Sequence, residues 1–277
     1  MAISRSQLVK ELEPGLNALF GLEYNRYENE HAEIFASEAS DRAFEEEVML
    51  SGFGQAATKA EGAMVTFDQA TEAYTSRYTH NTVALAFSIT EEAIEDNLYD
   101  RLAQRYTRAL ARSMSNTKQV KAAQVLNQAQ FTAVTGGDGV PLIANNHPLS
   151  NGGTFSNVLS TAADLNETSL EQALIDIQGF VDERGLKIAL NGRKMIIPKE
   201  LQFTAERLMK STLRTGTADN DINAINNMGM VPEGYRVNNF LTDTDSFFLL
   251  TDVPNGLKHF ERSPIKTALE GDFDTGN

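Results

Sequence analysis

Four arginines form the most regular chemical pattern in the sequence. Arg101, Arg105, Arg108 and Arg112 recur at i, i+4, i+7 and i+11, which puts four guanidinium groups in one stripe along a helix. Guanidinium groups pair with carboxylates and phosphates. A stripe of them is either a solvated face, a docking strip for acidic segments of neighbouring chains, or a phosphate contact. Residues suited to covalent or metal chemistry have no comparable order. Cys is absent, so there is no thiol nucleophile, thiolate zinc site or disulfide. His31, His80, His147 and His259 are scattered, with no zinc-ligand spacing. Glu28 and His31 sit three apart as in a di-iron helix, but no second copy of that pair exists. Asp219, Asp221 and Asn223 open like a calcium loop, yet Ala224 stands where Gly is required and Met230 where Glu is required. Gly136-Gly137-Asp138-Gly139 lacks the Gly-Lys-Ser/Thr ending of a phosphate loop and reads as a turn. Glu45–Glu47 read as a solvated acidic surface, and no Gly-x-Ser-x-Gly elbow occurs. The expectation is no catalytic, cofactor-binding or metal-ligating residue, and no enzyme.

The Arg stripe needs a helix to carry it. From Glu91 to Ala129 no Gly or Pro interrupts, acids load the start, and Ile94, Leu98, Leu102, Tyr106 and Ala109 give an apolar face. Such a helix runs about 55–60 Å, the length of a spine. Ser88 or Thr90 would cap it, with Glu91 completing a capping box. Upstream, Val83, Leu85, Phe87 and Ile89 alternate with small residues, so residues 63–89 read as a long β-hairpin with a polar tip. An isolated hairpin is marginal in water and so implies a surface to lie on. Residues 1–60 are acid-rich and thin in apolar residues; short helical patches at Ser6–Leu12 and Glu30–Leu50 predict an arm that is disordered or laid over a partner.

Downstream, residues 135–158 read as a loop. A helix over 168–184 is capped by Thr168 and Glu171 and stopped at Gly185. Asn191-Gly192 predicts a hairpin between Leu186–Leu190 and Lys194–Ile197. Pro198 opens a third helix, 212–227 is a loop, and short strands follow near 235–239, 246–251, 257–261 and 265–270. The class is α+β.

Net charge is −14 over 277 residues. An acidic surface disfavours general nucleic-acid binding. No apolar window is long enough for a membrane helix and no secretory leader is evident, so the reading is a soluble protein made inside the cell. Charge is unevenly placed: residues 1–100 hold 19 acids and 6 bases, whereas 101–137 hold no acid at all. An acidic arm, a projecting hairpin, a spine and a small body are the profile of an assembly protein.

Four stretches resemble one family. They are Val83–Leu98, the loop Asp138–Val158, the strand-proline-helix Met195–Leu208, and Phe247–Asp252 followed by Gly256-Leu257 and Phe260-Glu261-Arg262. Together, in this order, they are similar to tailed-phage major capsid proteins of the HK97 type, nearest the Mu-like head subunits. The resemblance implies an N-terminal arm (1–60), an extended loop over a neighbouring subunit (61–88), a peripheral domain with the spine helix (89–135), an axial domain gathering at fivefold and sixfold vertices (136–260) and a return to the peripheral domain (261–277). It implies a shell around a DNA genome, built from pentamers and hexamers, with scaffolding, portal and decoration proteins as partners. The shell would assemble in the bacterial host cytoplasm, touch DNA only by non-specific proximity, and use no membrane. An encapsulin-like nanocompartment is the alternative with the same fold. The family usually adds a strand after residues like 270–277. Some relatives crosslink through a loop lysine, but Lys59 precedes the expected hairpin, so no crosslinking is expected. Arg101, Arg105, Arg108 and Arg112 are the candidate inter-subunit contacts.

Overall fold

A computed structural model describes residues 5–89, 99–214 and 221–268. Helix α1 (Arg5–Tyr24) packs against the long helix α2 (Tyr99–Asn127). A 3-10 turn at Glu30–Glu33 leads to strand β1 (Ala36–Ala39) and then β2 (Phe44–Leu50). Strand β3 (Glu72–Thr79) pairs antiparallel with β2, with a register shift between Val48 and Leu50. A two-stranded ladder, β4 (His147–Pro148) and β5 (Thr154–Phe155), folds the long loop.

The body follows. It contains α3 (Glu167–Gln178), β6 (Gly192–Ile197), α4 (Gln202–Lys210), α5 (Ala224–Met228), β7 (Tyr235–Val237) and β8 (Phe248–Thr251). Strand β9 (Lys258–Glu261) returns to pair parallel with β1.

Strand β6 is the centre of a three-stranded sheet, parallel to β7 and antiparallel to β8. Period-two geometry sends its side chains to both faces. Met195 and Ile197 join Leu165, Leu170, Leu174, Ala205 and Leu208 in the main core, while Ile196 meets Ile34 and Leu126 on the other side. Burial on both faces explains the unbroken apolar run Met195-Ile196-Ile197.

Several expectations change. Residues 30–50 are a 3-10 turn and two strands rather than a helical patch. Their Glu and Ala residues favour helix locally, but non-local pairing with β9 and β3 overrides a weak propensity. Helix α1 runs through Pro14 to Tyr24, supported along α2, so this segment folds on its own chain. The hairpin spans 44–79 and straddles residue 60; Val83–Ile89 forms no strand because no described segment pairs with it. Asn191-Gly192 is not a hairpin turn. Gly192 begins β6, and a Cβ there would press on Leu174, so the glycine answers to packing. The loop expected at 212–227 contains α5. Residues 265–268 form no strand, and the expected cap at Glu91 lies outside the described residues.

Helix α3 starts at Glu167, not Thr168, and ends at Gln178 with Gly179 as its C-cap, not at Gly185. Its capping box uses Asn166 and Ser169: Ser169 N–H donates to Asn166 Oδ1 (2.9 Å) and Asn166 N–H to Ser169 Oγ (3.0 Å). Asn166→Ala should therefore lower the unfolding free energy by about 1 kcal/mol in urea titrations.

Candidate assembly surface

The β2–β3 hairpin carries charge on its strands and apolar groups in its loop. Glu46 faces Arg77 across the ladder, and Arg77 Nε donates to Glu46 Oε1 at 2.6 Å while its guanidinium lies 4.4 Å from the Phe44 ring centroid. The strand base is fixed to the β1–β9 ladder. Lys258 Nζ reaches Glu47 Oε1 (2.5 Å) and Glu38 Oε1 (3.5 Å), and the Tyr78 ring lies 5.5 Å from Phe260. The Glu47 hydrogen bond holds Lys258 above the ordinary lysine range. Above the strands, the loop neck is closed by buried Ser51. Its N–H donates to Thr71 O (2.8 Å), and its Oγ accepts from Thr71 N–H (2.9 Å).

Beyond that neck the loop exposes Phe53, Met64, Val65 and Phe67, with Met64 and Phe67 each 89% exposed. Neighbouring apolar groups left in water on this scale mark an interaction surface. One polar contact orients the loop: Arg184 Nη2 reaches both Asp68 carboxylate oxygens at 3.0 Å, and Asp68 accepts from Gly54 N–H at 2.7 Å. Backbone hydrogen bonds from Gly54 and Gln69, then Arg184, hold the Asp68 carboxyl below its usual range.

Helix α2 presents a different surface. Its buried side is Ala103, Thr107, Ala111, Ser115, Gln119 and Ala123, a column at four-residue spacing whose small residues suit close helix packing. The apolar face expected from sequence is not the buried one. Tyr106 is exposed beside Phe87, Ala109 is exposed, Leu102 is half-buried, and Ile94 and Leu98 lie outside the described residues. Small residues won because α1 and the 28–31 turn pack there. Arg105, Arg108 and Arg112 are all exposed on the helix. Arg101 belongs to α2, with its side chain outside the described residues.

Ionic contacts tie the Glu30–Glu33 turn to the three-stranded sheet. Lys194 Nζ lies 2.8 Å from Glu33 Oε2 and 3.0 Å from Glu233 Oε2, Arg236 adds to Glu33, and Arg193 pairs with Glu233. Burial pushes the Lys194 ammonium down, but its bonds to Glu33 and Glu233 outweigh this and hold it above the ordinary range. Asn239 donates twice to Glu30, and Asn127 bridges α2 to Phe240 and Thr242.

His147 and Asn223 hold local structure. His147 Nδ1 lies 2.6 Å from Asp138 Oδ2, but its buried Nε2 meets no partner among the described residues. The pair ties the start of the 136–158 loop to its β4 strand. Asn223 caps α5 and donates to Leu208 O, while Asp219 lies outside the described residues. No three described His, Asp or Glu side chains converge to hold a metal. An open groove of about 1270 Å³ beside β8 is lined by Phe131, Ile177, Phe180, Phe247 and Leu249, and charges at its edge already pair in the Lys194 network.

The phage capsid protein family matches residues 72–277. The chain belongs to that family. As a phage capsid protein it shares the HK97-like fold of the bacteriophage JBD30 capsid, at 12% identity and a TM-score of 0.58, over 78% of this chain and 92% of that one. The bacteriophage JBD30 procapsid aligns with 86% of this chain and 100% of its own length, at 15% identity and a TM-score of 0.57. A JBD30 capsid decorated with minor capsid protein trimers aligns over 76% and 89%, at 13% identity and a TM-score of 0.55. No curated protein sequence matches. This is a virion shell protein, and the phage capsid family disfavours the encapsulin alternative.

The sequence pattern shows the spine helix and the family. It missed β2, the true hairpin loop, and the Asp68–Arg184 and Glu33–Lys194 contacts. The alternation of Phe44, Val48 and Leu50 was the available signal for β2, masked by three consecutive glutamates.

Proposed function

We propose that this chain is the major head subunit of a tailed phage or prophage, of the Mu-like branch, assembling through pentamers and hexamers into the icosahedral shell around the DNA genome. The family match over residues 72–277 carries this reading. The exposed loop of the hairpin supports it, since Phe53, Met64 and Phe67 need a partner surface. In this assignment the arm is 1–60, the peripheral domain is centred on α2, the axial domain covers 136–260 and the tail returns at 261–277. The extended loop is the 44–79 hairpin, which begins inside the arm and is laid on a neighbouring subunit. Arg101, Arg105, Arg108 and Arg112 dock acidic segments of adjacent copies. Assembly takes place in the host cytoplasm with scaffolding, portal and decoration proteins as partners. DNA contact is non-specific, and the chain needs no catalytic residue, metal or cofactor.

Negative-stain electron microscopy with light scattering on purified protein tests this. Uniform shells, or rings of five or six, are expected. A chain that stays monomeric under every assembly condition and is absent from virions overturns it. Met64→Ser with Phe67→Ser should cut particle yield at least tenfold while leaving the circular-dichroism spectrum unchanged. Burial of two such side chains is worth about 1.5–3 kcal/mol each.

A further inference from the structure

Two imidazoles meet where α1, α2 and the β1–β9 ladder converge. His31 lies on the 3-10 turn and is 5% exposed; His259 lies on β9 and is half-buried. Their rings stand edge to face with centroids 5.5 Å apart. Nδ1 of each ring is buried and has no hydrogen-bond partner among the described residues. The turn is held to α2 by Gln119, whose Oε1 accepts from His31 N–H at 2.9 Å and whose Nε2 donates to Glu28 O. From α2 the Lys118 ammonium also faces the pair, 3.7 Å from Glu261 of β9. Tyr24 approaches from α1, and burial, then Glu261, raises its phenol. Glu30 and Glu33, on the same turn as His31, are engaged elsewhere, with Asn239 and Lys194.

We propose that the His31–His259 pair makes the joint between α2 and the β1–β9 ladder an acid-opened switch. Neutral rings pack as two aromatic groups. A protonated ring would place a cation against a second imidazole and beside Lys118, with a buried N–H that has no acceptor. Burial lowers the proton affinity of both rings, and Lys118 adds to it; Gln119 and Glu261 oppose this for His31 and Glu261 for His259, less strongly. The unfolded chain therefore binds protons that the folded joint excludes. Stability from the pair is complete above the ordinary histidine value of 6.5 and is lost as pH falls below it. Opening this joint also loosens Lys258, next to His259, which anchors the hairpin base.

Urea unfolding of the full chain between pH 8 and pH 5 tests the switch. Each excluded proton should raise the unfolding constant by up to about tenfold per pH unit below 6.5. The double variant His31→Phe/His259→Phe should flatten that slope, while His80→Gln should retain it. Histidine-selective carbon-13 NMR of the native chain covers the case of a variant that does not fold. Two resonances should stay neutral through pH 6. A native slope in the double variant, or titration of the pair at or above 6.5, overturns the proposal. These measurements use the unassembled chain. A chain that never forms shells leaves the switch standing, and a shell-former with a flat profile sinks the switch alone.

Discussion

Arg105→Glu with Arg108→Glu should abolish shell formation and leave the subunit folded. Both side chains are exposed on α2, so neither reversal disturbs the Ala103–Ala123 face that packs inside the chain. Exposed ion pairs are individually weak, about 0–1 kcal/mol. Reversal removes the attraction and installs a repulsion of similar size at each of two positions, up to roughly 4 kcal/mol per subunit interface. Each 1.4 kcal/mol lowers the association constant about tenfold, and a closed shell repeats the loss at every copy. Sedimentation velocity and electron microscopy should show free subunits or small oligomers, with an unchanged melting temperature. Normal particles would refute the docking role.

Leu170→Ala should have the largest effect on the subunit itself. Leu170 is completely buried in the first turn of α3, within the cluster that includes Leu174, Met195, Ile197 and Leu208. Removing its side chain costs the lost transfer energy plus a cavity, about 2–5 kcal/mol. Domains commonly have about 5–15 kcal/mol of total stability, so a large fraction disappears. Urea unfolding should show the midpoint moving down with little change in slope. A loss below about 1 kcal/mol would mean that the core repacks around the gap. The charge reversal removes assembly and spares the fold, whereas the leucine truncation weakens the fold first.

The body of the fold was legible where local signals and tertiary demands agree. The apolar run at 195–197, Pro198 and the following helix are all where the pattern puts them, because a two-sided core demands that run. The spine was legible as a helix but its orientation was not. Hydrophobicity favoured Leu102 and Tyr106, whereas close packing of α1 selected Ala103, Thr107 and Ala111. The hairpin was displaced because its first strand, Glu45-Glu46-Glu47, looks solvated and becomes a strand only against Arg77 and Tyr78. The candidate arginines could be found from spacing alone. The exposed loop and its Asp68–Arg184 contact could not, since they depend on residues 116 positions apart meeting in space.

The parallel pairing of β1 with β9 sets a clock on synthesis. Ala36 is made early, and its partner Lys258 emerges from the ribosome only after more than two hundred further residues. Parallel pairing across such a span is slow to close. Until it does, the hairpin base has neither Lys258 beneath Glu47 nor Phe260 against Tyr78. Nascent subunits on one polysome, crowded side by side, therefore carry hairpins without a firm root. The root of the hairpin is complete only once β9 has been made, more than two hundred residues after the strand it joins.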